Sequence, residues 1–266
     1  MVSLSVNVNK IATLRNSRGG HEPNVWRAVQ TCVAAGARGI TVHPRADERH
    51  IRRSDVLEIA ASLDDVLTPE GGRPEFNIEG DPRQDFIDLV LNAQPDQCTL
   101  VPVKPGEVTS QAGWSAATEP RNMGTIVARL RGAGIRVSLF VDPTAEAVKW
   151  AAARGADRVE LYTEPFATAY ARDREAGRQT FEVYAEAARL ARTLGLGVNA
   201  GHDLDLTNLA LFRTLPHLDE VSIGHALISR ALWVGLDTVV REYLAVLAQQ
   251  DPSTPAGGDM IGSERI

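Results

Sequence analysis

The sequence predicts a (β/α)₈ TIM barrel, and three observations carry the prediction. Eight short apolar, mostly β-branched runs recur along the chain with helical segments between them. Glycine closes the junctions that lead from a helix into the next strand, as in AAGARGI, LRGAGIRV, AARGADRV and TLGLGV. A chain leaving a helix there needs a left-handed residue, which costs other side chains energy. The length of 266 residues suits one α/β barrel of about 250 residues. Right-handed strand–helix–strand crossovers leave few topologies. A doubly wound open sheet is the alternative, and eight units of near-even length favour closure.

Taken in order, strands are expected at 4–9 (LSVNVN), 39–43 (GITVH), 75–79 (EFNIE) and 97–102 (QCTLVP). The second half supplies 135–141 (IRVSLFV), 157–161 (DRVEL), 196–200 (LGVNA) and 220–224 (EVSIG). Most read as nearly continuous in apolar character, as strands buried on both faces require. Segments 25–35, 144–154 and 179–194 carry Ala, Leu, Arg and Glu at helical spacing. Three connections are longer than usual. Residues 64–74 precede the third strand and belong to the far face, whereas 103–118 and 162–178 follow the fourth and sixth strands and read as loops that could act as lids. One domain is expected over 1–250, with 251–266, rich in Pro, Gly and Ser, as a mobile tail.

Composition narrows the function classes. With 44% apolar residues the chain is ordinary for a globular protein, and a formal charge of −6 argues against nucleic-acid or anionic-membrane partners. Cys32 and Cys98 lie in apolar segments and read as buried free thiols of a reducing compartment. The start MVSLSVNVNK lacks a signal-peptide pattern, and no run approaches the roughly 20 apolar residues of a membrane span. These features predict a soluble cytoplasmic protein.

A barrel of this kind gathers its chemistry at the C-terminal strand ends. GITVH ends at His43, EFNIE at Glu79, and LGVNAGH runs out to His202, while Glu160 lies near the end of the sixth strand. Histidine exchanges protons near neutrality, and a carboxyl in a dry barrel mouth gains basicity. Each residue alone has a structural reading as a hydrogen-bonded side chain. Together they are hard to explain as structure, because burying unpartnered ionisable groups costs several kcal/mol.

SIGHAL sets Gly224 and His225 where the last strand meets a helix, a place barrels use for phosphate, although glycine there also suits a tight turn. Asp203, nearby, is an awkward neighbour for an anion unless its side chain turns away. Arg18 and Arg45, with His50, suggest a second anion site in loops facing the cavity. Arg15, Arg49, Arg52 and Arg53 read as solvated, and His21 and His217 as surface residues. No nucleophile elbow, phosphate-binding P-loop or dinucleotide fingerprint is present, no strand-end lysine suits a Schiff base, and the histidine spacing argues against a metal.

At these residues the chain resembles the pyridoxine 5′-phosphate synthase family of vitamin B6 biosynthesis. The resemblance runs through VNVNKIATLRNSRG (6–19), GITVHPRADERHI (39–51), FNIE (76–79) and LVPVKPGEVTSQAGW (100–114). It continues through VSLFVD (137–142), RVELYT (158–163), VNAGHDL (198–204) and SIGHALISRAL (222–232). It implies a barrel that condenses 3-amino-2-oxopropyl phosphate with 1-deoxy-D-xylulose 5-phosphate, giving pyridoxine 5′-phosphate, phosphate and water. No metal or organic cofactor is implied, and an octamer built from dimers is. By matched motif, His43 and Glu79 take proton-acceptor positions, His202 the proton-donor position, and Glu160 a supporting one. Asn7, Asp203, Gly224 and His225 fall on the aminoketone phosphate site. Asn9, Lys10, Arg18, Arg45, His50 and Thr109 fall on the deoxyxylulose phosphate site. Many members have Asp-His at Asn9-Lys10 and Gly at Asp203. Competing readings are a phosphosugar isomerase or aldolase, which needs a single phosphate site, and a non-catalytic sensor of phosphorylated metabolites.

Overall fold

The computed structural model describes residues 1–103 and 112–249. Eight strands alternate with helices: β1 (Ser3–Asn7), α1 (Asn9–Asn16), α2 (Val25–Ala34), β2 (Gly39–Val42), α3 (Arg53–Ser62), β3 (Glu75–Gly80), α4 (Gln84–Ala93) and β4 (Gln97–Leu100). Then come α5 (Met123–Gly132), β5 (Arg136–Val141), α6 (Ala145–Ala153), β6 (Arg158–Tyr162), α7 (Glu164–Arg172) and α8 (Arg174–Thr193). The described residues end with β7 (Gly197–Gly201), α9 (Leu209–Phe212), β8 (Leu218–Ile223), α10 (His225–Val234) and α11 (Leu236–Leu247). Each strand pairs in parallel with the next, and β8 returns to β1 with Leu4 opposite Val221, so the barrel closes as the sequence predicts. Closure leaves no edge strand exposed. Residue 104, residue 109 and the expected tail lie outside the described residues.

The strands are buried on both faces, but the expectation of near-continuous apolar character fails on the inner one. Leu4, Val6, Ile40, Val42, Phe76 and Ile78 alternate outward into the core under the helices. Their neighbours point inward and are polar. Ser5 meets Thr41 at 2.7 Å, Asn77 donates to Thr41 at 3.3 Å, and Thr99 donates to Asn77 at 3.0 Å. Lower in the barrel Arg136 donates to Gln97 at 2.9 Å and Asn199 to Glu220 at 3.2 Å. Buried hydroxyls and amides are costly unless paired, so these bonds are what allow a polar interior.

Two connections also differ from the sequence reading. Residues 162–178 are helical: α7 occupies most of them and α8 begins at Arg174. Pro165 stands in the first turn of α7, where its missing N–H costs no hydrogen bond. Phe166 is fully buried, with ring centroids 5.0 Å from Phe212 and 6.1 Å from Tyr184. Asp173 caps α8 by accepting the Ala176 N–H at 2.9 Å. At Gly177 a Cβ would stand 2.6 Å from the Tyr170 ring, so glycine lets the two helices approach. The first strand stops at Asn7, and Asn9 already opens α1.

Arg15, read as solvated, is 5% exposed and forked onto Asp55, with Nη1–Oδ1 at 2.5 Å and Nη2–Oδ2 at 2.9 Å. That pair ties α1 to α3. Cys32 and Cys98 are buried and free, and burial raises both thiols, Cys32 to about 12. No helix among the described residues is long and apolar enough to cross a membrane.

Candidate active site

A cavity of ≈ 490 Å³ opens where the strands end, within the range of small-molecule sites. His43, Glu79, Glu160 and His202 all line it, as do Asn7, Asn9, Lys10, Arg45, His50, Asp203, Gly224 and His225. Arg18 does not: it is exposed beyond α1, because the connection after β1 is a helix that carries the chain away from the mouth. Thr109 lies outside the described residues. The cavity also takes in Thr13, Arg49, Val101, Phe140 and Ser222, which the sequence reading passed over. Thr13 follows Asn9 by one helical turn, and Ser222 precedes Gly224 on the inward phase of β8, so both were within reach of periodicity. Arg49, expected to be solvated, donates to Asp47 at 2.8 and 2.6 Å while its side chain borders the cavity.

The acid–base groups differ by environment. Glu79 is 9% exposed at the end of β3, with Asn7 Nδ2 3.4 Å from its Oε2. Burial, and then the charges of Glu160 and Glu220, hold its carboxyl well above the usual range. Burial, followed by the charge of Glu220, pushes Glu160 up to about 8. Its Oε2 is buried without a hydrogen-bond partner among the described residues. A Cβ at Gly201 would come within 2.7 Å of Glu160 Oε1, so a glycine is what leaves the carboxyl room.

The histidines on the β2 side are driven the other way. Burial first, then the charges of His50, Arg45 and Arg83, lower His43 to about 3. Burial, with Arg45 and Lys10, lowers His50 to about 4. Both rings are therefore neutral at physiological pH, and they stack at a tilt with centroids 5.8 Å apart. His43 Nε2 is buried without a partner among the described residues, while its backbone N–H donates to Asn9 Oδ1 at 2.9 Å. Asn9 in turn donates its backbone N–H to Asn7 Oδ1 at 3.0 Å. The two asparagines thus link β1, the start of α1 and the end of β2.

On the opposite side of the β1 strand, Gly224 leads into α10, with a Cβ there 3.1 Å from the Asn7 side chain. His202 and Asp203 follow β7 with φ of 88° and 58°, and His202 Nδ1 lies 3.0 Å from Asp203 Oδ2. The Tyr162 ring stands edge-on to His202 at 5.3 Å. Among the described residues no group of three or more His, Cys, Asp or Glu side chains is arranged to hold a metal ion.

His43 and His50 held neutral, two carboxyls raised by burial and a histidine–aspartate pair around one barrel mouth define a (β/α)₈ barrel equipped for acid–base chemistry. Comparison with known proteins makes the assignment narrower. The family model described as Pyridoxal phosphate biosynthesis protein PdxJ matches residues 4–249, and the chain belongs to that family. A pyridoxine 5′-phosphate synthase of Bacteroides fragilis is 54% identical over 244 residues, covering 91% of this chain and 98% of the relative. One from Leptospira biflexa is 51% identical over 254 residues, covering 93% and 98%. Among solved structures, the thiamine phosphate pyrophosphorylase of Pyrococcus furiosus aligns with a TM-score of 0.59 at 14% identity, covering 92% of this chain and 95% of that one. The phosphoribosylanthranilate isomerase of Thermotoga maritima aligns at 0.55 and 11%, covering 93% and 98%, and both show the barrel fold alone.

Proposed function

We propose that the protein is a pyridoxine 5′-phosphate synthase that condenses 3-amino-2-oxopropyl phosphate with 1-deoxy-D-xylulose 5-phosphate by general acid–base catalysis. The observation that carries this reading is the opposed tuning of His43 and Glu79 on neighbouring strand ends of one cavity, in a chain of this family. The amine attacks the pentulose ketone and the adduct loses water, which calls for an acid at the departing hydroxyl. Later steps remove protons beside a carbonyl or imine, expel phosphate and close the ring through a carbon–carbon bond. His43, neutral with an Nε2 unpartnered among the described residues, suits proton abstraction, and Glu79, whose ionised form is a stronger base than an ordinary carboxylate, suits a second acceptor. His202 is assigned the donor role, and Glu160, protonated near neutrality, a hydrogen-bonding one.

Two phosphates need two cationic or amide-rich ends. Lys10, Arg45, Arg49 and His50 support one. The Gly224–His225 start of α10, with Asn7 beside it, supports the other. We place the protein in the cytoplasm, where its two free buried cysteines fit a reducing milieu. We also assign it a homo-oligomeric state, the octamer of the family resemblance, supported by Leu232 and Trp233 standing 68% and 86% exposed at the end of α10.

Mass spectrometry of pyridoxine 5′-phosphate, with both substrates and purified protein beside Glu79→Gln and His202→Ala, tests the reaction. Wild-type product with a loss of about 10²-fold or more in both variants is expected. Folded wild type that makes no product would sink the assignment.

A further inference from the structure

We propose that the Asp203 carboxylate is a positioning residue that holds the His202 imidazole through Nδ1 and confines its proton exchange to Nε2. The inference rests on the acid–base reading of this site. It also departs from the resemblance, which placed Asp203 among phosphate-binding positions, where many members carry glycine.

The geometry is specific. Asp203 Oδ2 lies 3.0 Å from His202 Nδ1, and the Nδ1–H is the donor this contact requires. The contact exists because two consecutive residues adopt left-handed backbone, with φ of 88° at His202 and 58° at Asp203. Such conformations are costly outside glycine and persist only where the surroundings enforce them. Here they are enforced from both sides. The Thr163 hydroxyl, after β6, faces the carbonyl oxygens of Gly201, at 2.6 Å, and His202. Asn208 Nδ2 donates to the Asp203 carbonyl at 3.1 Å, and Asn208 Oδ1 accepts the Asp205 N–H at 2.9 Å. The pinned turn folds the carboxylate back onto the ring.

Other charged groups around the pair do not replace that contact. Asp205 Oδ1 is occupied by the backbone N–H groups of Thr207 and Asn208, both at 2.8 Å. Glu160, across β6, is held mostly protonated by burial, and Tyr162 presents a ring edge. His225, from α10, adds a favourable charge to Asp203. Arg172 and Arg174, at the α7–α8 junction, border the outer groove that Asp203 also lines. The His202 hydrogen bond is the chief reason the Asp203 carboxyl sits below its usual range. The carboxylate is thus charged across the working pH range, and the contact is lost only as pH falls through that depressed value.

The imidazolium carries hydrogens on both nitrogens, gives the Nε2 proton to the departing hydroxyl and keeps Nδ1–H on Asp203. The neutral ring then presents a bare Nε2, which can take a proton back in a later step. Without Asp203 the neutral ring distributes its proton between both nitrogens and rotates more freely.

Protein with ¹⁵N-labelled histidine distinguishes these cases, with the His202 signals identified by their loss in His202→Gln. Wild type should show the Nδ1–H tautomer at a pH where the ring is neutral. Asp203→Gly, which relieves rather than creates backbone strain, should show mixed tautomers and a roughly tenfold lower kcat, about 1.4 kcal/mol, with KM within about twofold. Asp203→Asn, whose carbonyl still accepts from Nδ1–H and which tolerates left-handed backbone, should restore the tautomer and most of kcat. An unchanged tautomer in Asp203→Gly, or a change in KM with kcat intact, overturns the inference and returns Asp203 to the phosphate site. Wild type without product, but with the tautomer pattern as described, would instead fault the proposed reaction and leave the positioning role standing.

Discussion

Glu160 gives the most demanding test of the site's electrostatics, through the conservative change Glu160→Gln. In the folded protein the carboxyl is 4% exposed and pushed from 4.5 to about 8, chiefly by burial and then by Glu220. In the unfolded chain it ionises near its ordinary value. Between roughly pH 4.5 and 8 the unfolded state therefore releases a proton that the folded state keeps, so stability falls as pH rises through that window. A shift of this size corresponds to a cost on the order of 5 kcal/mol once the pH exceeds the folded value. The buried amide that replaces the carboxyl keeps a desolvation cost of its own, so a net gain of about 3 kcal/mol is expected for Glu160→Gln at pH 8.5. For a chain of this length that is roughly 6–12 °C in Tm. Thermal and denaturant unfolding of both proteins at pH 5 and pH 8.5 measures it. The curves should nearly coincide at pH 5 and separate at pH 8.5 in favour of Glu160→Gln, while the variant loses activity. Equal pH dependence in the two proteins would refute the buried, proton-holding state assigned to Glu160.

Three further outcomes follow from the same geometry. Gly201→Ala puts a Cβ within 2.7 Å of Glu160 Oε1 and 3.0 Å of the Ser222 carbonyl, so it should destabilise the barrel mouth by about 1–3 kcal/mol and depress kcat, read by unfolding and steady-state assay. Arg49→Ala should raise KM for the phosphorylated pentulose about tenfold with little change in kcat, because Arg49 borders the cavity from the β2–α3 loop; a fall in kcat alone would contradict this. Arg15→Met leaves Asp55 as an uncompensated buried charge and should cost about 3–5 kcal/mol, whereas the double change with Asp55→Leu should recover most of it.

Much of this was legible in the sequence, for identifiable reasons. His43, Glu79, Glu160 and His202 could be read because a closed parallel barrel brings strand ends together whatever their separation along the chain. Period-two alternation was also present, as in I-T-V-H at 40–43 and F-N-I-E at 76–79, yet β-branched content obscured it and the inner face was misread as apolar. Helix α7 and the first turn of α8 escape the sequence pattern because Pro165 and Gly177 look like breakers in isolation, although proline suits a first turn and Gly177 serves a close helix crossing. Arg15 was misread for a different reason: its partner Asp55 is 40 residues away, on another helix, and no local pattern announces such a pair. Arg18 failed through its neighbourhood, since a helix rather than a loop follows β1.

The polar barrel interior and the chemistry at its mouth follow from one arrangement. An apolar interior would isolate Glu79 completely, and a cationic one would ionise it and remove its basicity. The barrel does neither. Neutral hydrogen-bonding groups such as Asn77 and Thr99 fill the middle layers, and the arginines Arg136 and Arg158 act at the lower end, where they lower Glu220 against the effect of burial, leaving it at about 7. Glu160 lies at about 8, raised by burial and by Glu220, and Glu79, near the end of β3, is raised by burial and by both carboxylates. Each carboxyl thus makes the next one up harder to ionise. The raised basicity falls on Glu160 and Glu79, both of which line the cavity, and it depends on the middle layers of inward residues, Asn77 and Thr99 among them, being polar but uncharged.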